Sequence, residues 1–194
     1  MPRITRSVPV VILHGWHGSG PDHWQSLLAA DLRSAGREVR YPLLPDPDAP
    51  RLAAWLAALD ATLDGMPEQG YDLVAHSLGA VLWLHHAAGP GGTPRPARAV
   101  LVAPPSPRAP IAELSSFLPP PLDVEAVRAA AGGTILVAGD DDPHLPEGIA
   151  DAYARPLKIA TTVVPGGGHL NTESGFGPWP AMSAWCNRDS LAFY

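Results

Sequence analysis

The chain has 194 residues, 46% of them hydrophobic and 16% charged, enough to bury most of its unfolded surface without a disulfide or metal staple. A formal net charge of −6 with no basic stripe argues against nucleic acid and anionic membrane surfaces as partners. The one cysteine, Cys186, cannot form an internal bridge, as in a reducing, cytoplasmic compartment, and the length predicts one domain spanning 1–194.

The apolar run Val8–Leu13 is too short for a signal-peptide core or a membrane span and reads as a buried strand. Pro21–Ala35 reads as a helix, with Ser19 as a candidate N-cap and Gly36 as the stop. A short strand is predicted over Glu38–Tyr41, then a helix over Arg51–Leu63 with Leu52, Trp55, Leu56, Leu59 and Leu63 at helical spacing. Asp72–Ala75 is the third strand, and Leu78–Ala88 a helix apolar almost all round. Strands at Ala99–Ala103, Thr134–Ala138 and Thr161–Val164 alternate with helices at Val124–Ala131, Glu147–Tyr153 and Pro178–Trp185. Alternation of this kind means right-handed crossovers and a parallel sheet, and continuous apolar strands mean that both faces are covered. The segment Pro104–Pro121, with seven prolines, breaks the pattern. It is either a surface loop or a wall or small lid over a pocket, with Ile111, Leu114, Phe117 and Leu118 on one apolar face. Ser190–Tyr194 reads as a tail.

The strongest chemical signal is DLVAHSLGA at 72–80. Small residues at Ala75 and Gly79 let a strand turn sharply into a helix, which lifts the Ser77 hydroxyl out at the top of the sheet and aims the Leu78 N–H at a developing oxyanion. The plainer reading is a serine capping a helix. His169, on the glycine run 166–168 past the last strand, can reach over to Ser77 as a general base. His85 and His86 read as packing or surface residues, His76 as pointing away from the serine, and His144 as a surface loop residue. His14, His17 and His23 have no Cys or carboxylate at ligand spacing, so no metal site is expected. Asp140, Asp141 and Asp142 follow the fifth strand, and one of them can orient the base; the order Ser, Asp, His is that of the α/β-hydrolase triad. The loop His14–Gly18 after the first strand offers a second oxyanion donor, the Trp16 N–H, against the alternative of a plain glycine turn.

HGWHGSGPDHWQ at 14–25, HSLG at 76–79, DDP at 141–143 and GGGHLNTESGFGPWP at 166–180 together resemble the small serine-hydrolase branch of the α/β hydrolases that includes retinoblastoma-binding protein 9. The resemblance covers nearly the whole chain, and the 166–180 block is its most specific part. It implies an α/β-hydrolase fold: a compact three-layer sandwich with about six parallel strands and no large cap domain. It implies a triad of Ser77, Asp142 and His169, the acid being the Asp directly before the proline, with Asp140 as the fallback. The Pro-rich excursion 104–121 matches no motif of that family.

The expected activity is that of a cofactor-independent serine hydrolase, a carboxylesterase on small or short-acyl esters. Trp16, Ile111, Leu114, Phe117 and Trp179 are the apolar residues expected at its pocket, and a monomer acting on small molecules is the expected form. The alternatives are a protein-binding module on a hydrolase fold with vestigial activity, and an acyltransferase. Amides, thioesters and lactones use the same machinery.

Overall fold

The computed structural model describes residues 7–68, 70–90, 94–188 and 193. Six parallel strands, β1 (Val10–Leu13), β2 (Val39–Arg40), β3 (Asp72–His76), β4 (Arg98–Val102), β5 (Thr134–Gly139) and β6 (Ala160–Val164), form one sheet in the order β2-β1-β3-β4-β5-β6. The order reverses between β1 and β3, so the loops that follow those two strands diverge and leave a crevice at their carboxyl ends.

The strands are apolar throughout because alternate residues feed two cores. Val11, Leu13, Leu73, Ala75, Leu101 and Leu136 face α2 (Leu52–Leu63), α3 (Leu78–Ala87) and α4 (Val124–Ala130). A π-helical turn over Ala150–Ala154, continuing as α5 (Arg155–Leu157), packs on the same side. Val10, Ile12, Val74, Val100 and Val137 face α1 (Trp24–Ser34) and α6 (Pro180–Asn187). This three-layer arrangement is the expected one, because a parallel sheet needs both faces covered.

Local differences from the sequence reading have physical causes. The first helix begins later than expected, at Trp24, and its cap is His23, whose Nδ1 accepts the Gln25 N–H; Ser19 instead donates its hydroxyl to Gln25 Oε1 at 2.8 Å. The predicted 147–153 helix lies three residues further on, since Gly148 at φ 74° breaks the early part. The proline-rich segment is not a loose surface loop. Its 3₁₀ turn, Ala112–Leu114, and the residues after it drive Leu114 and Phe117 into the core, where Phe117 meets the Trp55 ring edge-on at 5.2 Å. Of the expected tail, all but Phe193 falls outside the described residues, and Phe193 is buried against Trp179.

At the amino ends of the strands, Asp72 is fully buried and receives two hydrogen bonds of 2.9 Å from Arg98. The same guanidinium lies over the Trp185 ring and donates to carbonyls of α6 and its end, tying β3 and β4 to that helix. Among the described residues no helix is long and apolar enough to cross a membrane.

Candidate active site

The turn from β3 into α3 is tight because two close approaches admit no side chain. A Cβ on Gly79 would stand 2.6 Å from the His14 carbonyl oxygen, and one on Gly15 would stand 2.8 Å from the Ser77 Cβ. Ser77 sits between them at φ 53° and ψ −123°, a left-handed conformation that a non-glycine residue holds only when its surroundings impose it. Its side chain does not cap α3. The hydroxyl faces out of the turn, where His169 Nε2 lies 3.0 Å from Oγ. The other ring nitrogen of His169, Nδ1, lies 2.9 and 3.1 Å from the two carboxylate oxygens of Asp142. Asp142 and His169 are 5% and 8% exposed, so water competes little for that contact.

The loop carrying His169 is held from several directions. Asp140 accepts the Gly166 N–H and Asp141 the Gly168 N–H, each at 2.7 Å. Ser174 Oγ accepts the His169 N–H at 3.1 Å, and Gly139 has no room for a Cβ, which would meet the Gly168 oxygen at 2.3 Å. The first two aspartates of the run are thus exposed fasteners of the glycine loop, and only the third reaches the imidazole. Asp142 also accepts the His144 N–H at 2.8 Å, which leaves its carboxylate fixed on both sides.

The backbone N–H groups of Trp16 and Leu78 donate to no acceptor among the described residues. Leu78 is the first residue of α3, where helical N–H groups have no intrahelical partner and the helix dipole favours negative charge. The loop bearing Trp16 is anchored by its neighbours: His14 Nε2 accepts the Leu44 N–H at 2.9 Å, and the His17 N–H donates to the Pro47 oxygen. His14 staples a loop and His23 caps a helix, while the His17 ring lies 2.8 Å from Asp48.

A cleft of about 430 Å³ opens over Ser77. Of the apolar residues named from the sequence, Trp16, Ile111 and Leu114 line it. Phe117 and Trp179 do not: Phe117 is fully buried behind Leu114 in the core, and Trp179 packs edge-on against Trp24, Phe176 and Phe193 on the far side of the sheet. Two further histidines line it: His76, which was expected to point away from the serine, and His144, which stands exposed on its loop. The His76 ring reaches under the site, where Nε2 donates to the His169 carbonyl at 3.0 Å, and the His144 ring stands edge-on to His169 at 4.5 Å. Burial lowers the pKa of His76 well below its usual value and that of His23 to about 4, each further depressed by the His169 ring, so both stay neutral at pH 7. The sequence signal for His144 was its place two residues after Asp142 in a tight turn; nothing local marked His76, since a residue next to an elbow serine can face either way. His85 and His86 stay on the helix side, bound to the Phe117 carbonyl and near Asp60.

A fold of this order with a serine at the elbow defines a hydrolase class, and the match to known proteins names it. Residues 10–188 match the model of the serine hydrolase family, and the chain belongs to that family. The protein YdeN of Bacillus subtilis (strain 168) is 28% identical over 174 residues, covering 89% of this chain and 91% of YdeN. Its crystal structure superposes with a TM-score of 0.81 at 26% identity, over 92% of this chain and 96% of that one. A YdeN-like protein of Pectobacterium atrosepticum gives 0.74 at 23% identity, over 94% and 90% of the two chains, and a carboxylesterase of Nitrososphaera gargenis gives 0.59 at 14%, over 85% and 84%. The last two share the fold. The chain is a hydrolase with the α/β-hydrolase fold.

Proposed function

We propose that this hydrolase is a carboxylesterase acting on small or short-acyl esters through an acyl-enzyme on Ser77. In this reading His169 takes the serine proton as general base, Asp142 holds the imidazole in the right tautomer and stabilises its charged form, and the N–H groups of Trp16 and Leu78 receive the oxyanion. The observation that carries it is His169 bridging Ser77 Oγ at 3.0 Å and Asp142 Oδ2 at 2.9 Å. The strained φ of Ser77 and the two unclaimed N–H groups support the same roles. The modest cleft supports a small acyl group. A monomer acting on small molecules in the cytoplasm, close to the branch that includes retinoblastoma-binding protein 9, belongs to this reading too.

Labelling of the purified protein with a fluorophosphonate, followed by intact mass and peptide mapping, tests it. One adduct on Ser77, lost in His169→Ala, is the expected result. Folded wild-type protein that takes no adduct would overturn the reading.

A further inference from the structure

Beside the cleft over Ser77 lies a second chamber of about 560 Å³. The two share three walls: Pro105, Ile111 and His144. The remainder of the chamber is framed by Ala109, Pro110, Pro143 and Pro146, with Ser106 and Glu147 joined at 2.7 Å at one side, where Arg108 also pairs with Glu147 at 3.6 Å. Its proline walls are contributed by two separate stretches, the proline-rich segment after β4 and the turn after Asp142. Proline rings lose little conformational freedom on binding, so the proline part of the wall is preformed and apolar, while Arg108 and Glu147 give the chamber one charged edge.

We propose that this chamber is the leaving-group subsite of the enzyme and takes a flat, apolar alcohol, such as an arylmethyl alcohol. The inference rests on the esterase reading above. In that reaction the Ser77 Oγ–acyl bond forms while the bond from the acyl carbon to the alcohol oxygen breaks. The serine proton passes to His169 Nε2 and from there to the departing alcohol oxygen. Water then adds to the acyl carbon, its proton returns through the same nitrogen to Ser77 Oγ, and the carboxylic acid leaves. The alcohol oxygen must therefore sit beside His169, opposite the oxyanion donors. Two rings pack against His169: His76, at 5.1 Å, and His144, at 4.5 Å, and of these His144 is also a wall of the side chamber. A bulky alcohol lying against His169 thus has the chamber directly before it, while the short acyl group stays by Trp16 and Leu114. The imidazole edge of His144 and the proline C–H groups suit the face of an aromatic ring.

Two measurements test this, one independent of turnover. Titration of 2-naphthylmethanol is followed through the Ile111 methyl resonance in wild type, Ala109→Trp and Pro146→Trp, both substitutions filling the chamber from exposed or half-buried positions. kcat/KM is then measured for 2-naphthylmethyl acetate and ethyl acetate, which share an acyl group. The alcohol is expected to shift the Ile111 resonance in wild type and not in either variant. Each variant is expected to lose about tenfold or more on the naphthylmethyl ester and to keep ethyl acetate within about twofold. Equal losses on both esters, or none on the larger, would overturn the subsite, as would an alcohol that leaves Ile111 unmoved. If the alcohol binds as described and no ester is turned over, the chamber stands and the esterase reading fails; if esters are hydrolysed and the variants do not discriminate, the reverse holds.

Discussion

Three adjacent aspartates separate into two jobs, and the separation makes the acid of the site testable. Asp142 faces the imidazole, whereas Asp140 and Asp141 accept N–H bonds from the glycine loop that presents it. Asp142→Asn leaves the loop fastened but offers the ring an amide, so turnover should fall by about 10⁴ with the fold intact; Ser77→Ala should cost about 10⁴ to 10⁶. Asp140→Asn keeps one acceptor oxygen for Gly166 and should cost far less. Steady-state kinetics on a short-acyl ester decide it, and the opposite ranking of the two aspartates would reassign the acid. From the residues alone the run DDD was ambiguous, because a loop gives its side chains no fixed direction. Only the proline after Asp142, by resemblance, pointed to the third.

Among elements, the elbow was the most legible and the proline-rich segment the least. A buried strand, a small residue, a serine and a helix occur in a fixed local order, and each is readable from neighbours in the chain. The reason Gly79 must be glycine is a tertiary one, since the start of α3 passes the end of β1 with the His14 oxygen 2.6 Å from where a Cβ would be. Gly79→Ala should therefore lower stability by about 1–3 kcal/mol, as overpacking does, although alanine is the better helix former. A melting temperature at or above that of wild type would contradict the close approach. The segment 104–121 has no period to read. Its apolar residues were grouped on one face, yet Ile111 lines the cleft while Phe117 turns inward to Trp55. Proline fixes φ and removes donors, so the path of such a segment is decided by what it packs against.

For the molecule as a whole, buried histidines link stability to pH. In the folded chain burial holds His23 neutral down to about 4 and pushes His76 well below 6.5; unfolded, both titrate near 6.5. Below that value the unfolded chain binds more protons than the folded one, so stability falls as pH falls, by up to about 1.4 kcal/mol per pH unit for each group. His23 adds a structural reason: its Nδ1 accepts the Gln25 N–H that caps α1, which a protonated ring could not do. Urea midpoints should therefore drop between pH 7 and pH 5, and His23→Asn, which can still cap the helix, should show a shallower drop. Midpoints that do not move over that range would remove the linkage.

What the sequence determined by itself was local and periodic: alternating strands and helices, a parallel sheet covered on both faces, and a serine at the turn from a buried strand into a helix. Those follow from hydrophobic spacing and turn chemistry, which act between residues a few positions apart. What only the tertiary structure decided was convergence. The reversal of strand order between β1 and β3 brings residues 16, 77, 142 and 169 to one crevice. The same packing turns His76 and His144 toward it, Trp179 away from it and Phe117 into the core. Loop side chains far apart in sequence take their directions from the surfaces that meet there, and no local pattern encodes which surfaces those are.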